Sequence, residues 1–243
     1  MELFISLQKV AMSKTNHESC HHEHSTILQE LACHLPYSVV AVAFSLALLS
    51  LLSLAALWGT VDPKIAKKGI KMLFHSFHFM HIVFAAAGTL VTFFRFSQDT
   101  KKALIVGIVS PSFFCVLSDA IIPYFAGLAL GFDMHFHICF WYELKNVLPF
   151  LFVGIVTGFL TKLNHTRNKV SYALTSHTSH ILVSSLASTC YLVANGLTDW
   201  HAKIGFVFFF LIIAVVVPCT LSDVIVPMVI ARLGNSNEKP STH

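Results

Sequence analysis

Two histidine pairs and two buried-looking aspartates carry the chemistry that this sequence offers. His75 and His78 stand three residues apart, as do His177 and His180. On a helix such positions share a face, so each pair can converge on one ion. Neutral imidazole nitrogens suit zinc, iron, cobalt, nickel and copper. Asp119 and Asp223 lie in the segments CVLSDAIIP (115–123) and CTLSDVIVP (219–227), inside apolar runs, with Cys, Leu, Ser, Asp, Ile and Pro at matched positions. A carboxylate at that depth costs about 2.5–3.5 kcal/mol on insertion scales and needs a partner. Pro123 and Pro227, four residues after each aspartate, are expected to free the Asp119 and Asp223 carbonyls from their helical bonds. Cys115 and Cys219 share a helix face with the aspartates. The bland readings are interfacial histidines, packing cysteines and helix-packing aspartates.

A third element is acidic. HEHSTILQELACHLP (22–36) aligns with HFHICFWYELKNVLP (135–149), matching His22 with His135, His24 with His137 and Glu30 with Glu143. Each glutamate precedes a Leu-Pro that suits the first turns of a helix. HSFHFMHIVFAAAGTLV (75–91) likewise aligns with HTSHILVSSLASTCYLV (177–193). Three motifs therefore recur in one order, which marks an internal duplication. His81 faces Val183 in this alignment and ranks below the matched histidines. HESCHHEH (17–24) adds a tail suited to loose metal capture.

These residues need apolar elements to hold them. Hydrophobic residues make up 55% of the 243 and charged residues 12%, and the mean hydropathy is +0.71. Six apolar segments, at about 36–59, 73–94, 103–130, 146–162, 173–194 and 204–231, have bilayer-spanning length. Their continuous apolarity excludes a β-barrel. The expected fold is an all-α polytopic membrane protein, its six transmembrane helices forming two inverted-topology three-helix repeats, because an odd number of spans flips the second copy. The expected parts are a His/Cys-containing cytoplasmic tail (1–21), repeat 1 (22–131), repeat 2 (132–232) and a polar C-terminal tail (233–243). Six scattered cysteines without a CxxC pair argue against a disulfide framework. Trp58, Trp141 and Trp200 fall at segment ends, as in an aromatic belt.

Lys and Arg number ten on the side of the termini and six on the other, which places both termini in the cytoplasm. The net charge of +4 reflects this topology, and no nucleic-acid partner is expected. The membrane expected is a bacterial inner (plasma) membrane. The partners are the lipid bilayer and a metal ion, and a homodimer is compatible with the sequence.

Inversion brings unlike copies together. The outer set expected is His75, His78, Asp119 and Glu143, with His135 and His137 nearby. The inner set is His177, His180, Asp223 and Glu30, with His22 and His24 nearby. Alternatively, both merge into one midplane site. Two nitrogens and two carboxylates per set favour a divalent transition metal, zinc or iron foremost, over calcium or magnesium. The function expected is divalent transition-metal transport in the Zn/Fe/Mn/Co/Ni class. The alternative is an intramembrane metalloenzyme, a zinc hydrolase or an iron or copper oxidoreductase, using the same residues.

Overall fold

The computed structural model describes residues 27–59, 62–139, 143–163, 169–197 and 200–235; within these the side chains of 27–30, 57, 63, 169–176 and 234–235 are left out. The described residues are all helical or irregular, without strands. The helices are α1 (Ile27–Trp58), α2 (Pro63–Phe96), α3 (Thr100–Val116), α4 (Ile122–Ala129), α5 (Leu144–Leu163), α6 (Lys169–Ala194), α7 (Ile204–Thr220) and α8 (Val226–Asn235). A π-helical turn joins α3 to α4 (π1, Leu117–Ile121), and a second joins α7 to α8 (π2, Leu221–Ile225).

Five stretches are long and apolar enough to cross a bilayer: Leu31–Ala56, Lys64–Phe96, Thr100–Ala129, Leu144–Leu163 and Trp200–Leu233. With α6, at 26 residues, they match the six segments of the sequence reading. The outer surface is apolar, with Phe152, Phe206, Phe209, Ile105 and Phe113 exposed. The buried residues include serines, threonines, histidines and both aspartates. That distribution suits a chain whose solvent is hydrocarbon and whose interior does the polar work.

α2 is the hub, packed most extensively against α6, α5 and α3. Its 34 residues span roughly 51 Å at 1.5 Å per residue, well beyond a hydrocarbon core of about 30 Å. Lys64, Lys67, Lys68 and Lys71, all exposed, occupy the excess at its N-terminal end, so His75 stands near the membrane boundary and His81 deeper. Asp62 and Asp99 start α2 and α3 by accepting backbone N–H bonds from Lys64, and from Lys101 and Lys102. Small residues let α5 approach α2 closely: a Cβ on Gly154 would lie 2.6 Å from the Val83 carbonyl oxygen, and one on Gly158 2.7 Å from Leu90 Cβ.

Both π turns follow from the motif. In π1 the Ile122 N–H bonds to Leu117 O, five residues back, so it bypasses Ser118 O. Pro123 has no N–H to offer, and Ser118 O is orphaned. Ser188 Oγ donates to it at 3.0 Å. In π2 the Val226 N–H bonds to Leu221 O, bypassing Ser222 O, which accepts from Thr89 Oγ1 at 3.0 Å and Ser110 Oγ at 3.2 Å. The helix is therefore widened rather than broken. The carbonyls satisfied from other helices are those of Ser118 and Ser222, one residue before the aspartates.

Three further expectations change. Pro36 lies well inside α1 and Pro149 inside α5, so neither opens its helix; neighbouring helices make such prolines tolerable in lipid. Trp200 is buried, while Trp58 is 85% exposed as a belt residue should be; Trp141 is outside the described residues. Cys33 is disulfide-bonded, whereas Cys115, Cys139, Cys190 and Cys219 are free and buried.

Candidate metal centre

α2 and α6 run antiparallel and carry the histidines inward. Helical spacing places His75, His78 and His81 on successive turns of one face of α2. Asp119, fully buried in π1, accepts at Oδ2 from His78 Nδ1 (2.9 Å) and His81 Nδ1 (2.7 Å). Its Oδ1 accepts from Ser118 Oγ (2.7 Å) and Ser184 Oγ (3.0 Å). Asp223 of π2 has less. Oδ2 lies 2.5 Å from His180 Nδ1 and 4.0 Å from His177 Nδ1, and Oδ1 is buried without a hydrogen bond. The His180 approach is an ion-pair contact rather than an aligned hydrogen bond.

The two nests meet at the centre. His81 Nε2 and His180 Nε2 lie 2.7 Å apart, and Cys219 Sγ is 3.8 Å from His81 Nε2. The three ligand atoms all lie within 4.8 Å of one another, and all three residues are buried. Carboxylate oxygens accept and do not donate, so His81 Nδ1 carries the proton, and the 2.5 Å contact of His180 Nδ1 with Asp223 Oδ2, though not aligned, also requires one between them. Neutral His81 and His180 then point bare Nε2 lone pairs at each other. Something positive must sit between them, either a shared proton or a metal ion. The residues fit a metal well. Imidazoles held through Nδ1–H by carboxylates are the usual outer support of a metal-bound histidine. Tetrahedral zinc with bonds of 2.0–2.1 Å would separate its nitrogen ligands by about 3.3 Å, a small opening of the present gap.

The expected sites are placed as follows. His78 and Asp119 are together, as are His180 and Asp223, with His177 at the edge of contact. His75 Nε2 lies 3.0 Å from Glu143 Oε1, two members of the expected outer set. His137 stacks edge-on with His75, ring centroids 5.6 Å apart. His135 is exposed and belongs to neither group of ligand atoms; its backbone N–H bonds to Asn195 O at 2.7 Å. Glu30 is in α1, but its side chain is outside the description, and His22, His24 and the 17–24 tract lie outside the described residues. The two sets are neither separate nor a single site: they touch through His81. That histidine, without a counterpart in the second half, is what a search by repetition passes over. The spacing His75, His78, His81 was the signal that could have found it. Cys139, grouped with His75 and His137, was also missed.

At the membrane boundary the loop ligands have shifted acidities. Burial, then the nearby charges of Lys71 and His75, lowers the His137 imidazole below its ordinary value, keeping a lone pair available at neutral pH. Burial, then Glu143 and Asp119, pushes the Cys139 thiol up to about 12. A bound cation would have to displace that proton.

Compared with protein-family models, curated proteins and solved structures, the chain matches none of them.

Proposed function

We propose that this chain moves a divalent transition-metal cation across a membrane, with His81, His180 and Cys219 as its deep binding centre. The observation that carries the reading is the pair of Nε2 atoms 2.7 Å apart, each imidazole backed by a buried carboxylate. A divalent ion offsets the charge of the two buried carboxylates, which is costly to leave uncompensated in a low-dielectric interior. Imidazole and thiol donors favour zinc over manganese and over calcium or magnesium.

Transport is supported by the continuity of polar groups along α2 and α6. From Glu143 and His75 the series passes His78, Asp119, His81, His180, Asp223 and His177, and it ends against His34, whose ring lies 4.3 Å from that of His177. His78 Nε2 and His177 Nε2, on either side of the centre, are buried without hydrogen bonds and are suited to pass a cation along. An inverted pair of three-helix repeats is part of this reading, supported by the repeated motifs and by the two π turns at matched positions. The Lys/Arg balance favours cytoplasmic termini, with a bacterial inner membrane as the setting proposed, while a disulfide at Cys33 favours an oxidising compartment for the start of α1. Protease access to a C-terminal tag in sealed vesicles decides the orientation.

The test is zinc uptake by proteoliposomes containing the purified chain. Uptake above that of empty liposomes, lost in His81→Gln and His180→Gln, is expected; tight zinc binding without flux would overturn transport. That outcome would favour a membrane-embedded zinc enzyme. One observation speaks for it: three protein ligands leave a fourth position open, as at catalytic zinc.

A further inference from the structure

We infer that the loop following α4 builds a second, separate metal site at the membrane boundary, made by His75, His137, Cys139 and Glu143. The ligand atoms of His75, His137 and Cys139 lie within 4.8 Å of one another. His75 shows why a cation belongs there. Its Nδ1 lies 2.7 Å from the Lys71 carbonyl oxygen, which can only accept, so Nδ1 carries the proton. Nε2 then lies 3.0 Å from a carboxylate oxygen of Glu143, buried and without an aligned hydrogen bond. In the neutral ring a lone pair would face an anionic oxygen, which is repulsive, so a second ring proton or a metal ion must join them; the clustered His137 and Cys139 ligand atoms favour the metal ion.

The loop is built to hold this geometry. Gly131, at φ +82°, ends α4, and Phe132 N–H bonds back to Gly127 O at 3.1 Å. His137 N–H donates to Tyr191 Oη and His135 N–H to Asn195 O, which fasten the loop to the end of α6. Glu143 N–H bonds to Cys139 O at 2.7 Å, and Asn146 Nδ2 donates to the second Glu143 oxygen at 3.3 Å. Two nitrogens, one sulfur and one carboxylate oxygen suit a four-coordinate zinc-class ion. His75 and Glu143 are partly exposed, so an ion can arrive from the aqueous side without passing the deep centre.

This site rests on its own geometry and needs neither the deep centre nor transport. The test uses Co(II), a spectroscopic stand-in for zinc, titrated into the full chain in detergent and counted by elemental analysis. The wild type is expected to bind two equivalents. His137→Ala and Glu143→Gln are expected to bind one, and Cys139→Ser to lose part of the thiolate-to-cobalt charge-transfer band. His180→Ala should keep the loop ion and lose the deep one. Should the deep reading fail alone, the wild type binds one equivalent, which His137→Ala loses and His180→Ala keeps. Unchanged cobalt content and spectrum in His137→Ala, Glu143→Gln and Cys139→Ser would overturn the loop site. His137 and Glu143 are not fully buried, and an unaltered elution volume and helical circular dichroism show that those variants fold.

Discussion

The nests around Asp119 and Asp223 are built from the same motif and finished differently. Asp119 receives four side-chain hydrogen bonds, from His78, His81, Ser118 and Ser184. Asp223 has one close partner, His180, a distant one, His177, and an oxygen with none. Around Asp223 the helix surface is instead bare: a Cβ on Gly88 would lie 2.7 Å from Asp223 Oδ2. The difference lies at three positions: α2 has His81 where α6 has Val183, Ser184 of α6 stands opposite Ile82 of α2, and Ser118 bonds Asp119 whereas Ser222 makes no such bond to Asp223. His81 belongs to the first nest through Nδ1 and to the second through Nε2. A saturated carboxylate is a structural anchor, and an unsaturated one can still change partners. The first nest therefore reads as the fixed wall of the centre and the second as its adjustable one.

The largest effect that would break this contrast concerns Asp119. Asp119→Ala strips the acceptor from four buried donors and should cost about 3–5 kcal/mol, read as a sharp fall in folded yield and in Tm in detergent. Asp223→Ala should cost clearly less, about 2 kcal/mol, while abolishing deep-centre metal just as completely. Equal destabilisation by the two would end the distinction between wall types. His81→Val makes the first nest resemble the second. It should release the deep metal, seen by elemental analysis, and cost about 1–3 kcal/mol, because His78 and the serines still hold Asp119. The smallest effect expected is that of Ser184→Ala, about 1 kcal/mol in Tm terms, with metal content kept.

Much of this was legible in the residues, and the omissions have physical causes. The apolar runs revealed the long helices because hydrocarbon leaves the backbone few other solutions. The pairings of His78 with Asp119 and of His180 with Asp223, and the contact of His75 with Glu143, join residues that the motifs had singled out as two sets. His81 escaped because repetition was the filter and the decisive histidine is unpaired in sequence. Cys139 escaped because its position depends on how a loop is fastened to Tyr191 and Asn195, which no periodicity encodes. The π turns escaped because a proline four residues on announces a lost bond, not which carbonyl loses it.

Chain order gives the nests a further consequence, for biosynthesis. His78 and His81 are translated before Asp119, and His177 and His180 before Asp223. When each aspartate leaves the ribosome, its partners are already in the emerging hairpin, and Ser118 arrives one residue ahead of Asp119. Only Ser184, among the four donors to Asp119, is synthesised later. Each half can thus enter the membrane with its acid already accompanied. The late joining of the halves then settles the contacts that cross between them, among them His81 with His180, His75 with Glu143, and the hydroxyl bonds of Ser184, Ser188, Thr89 and Ser110.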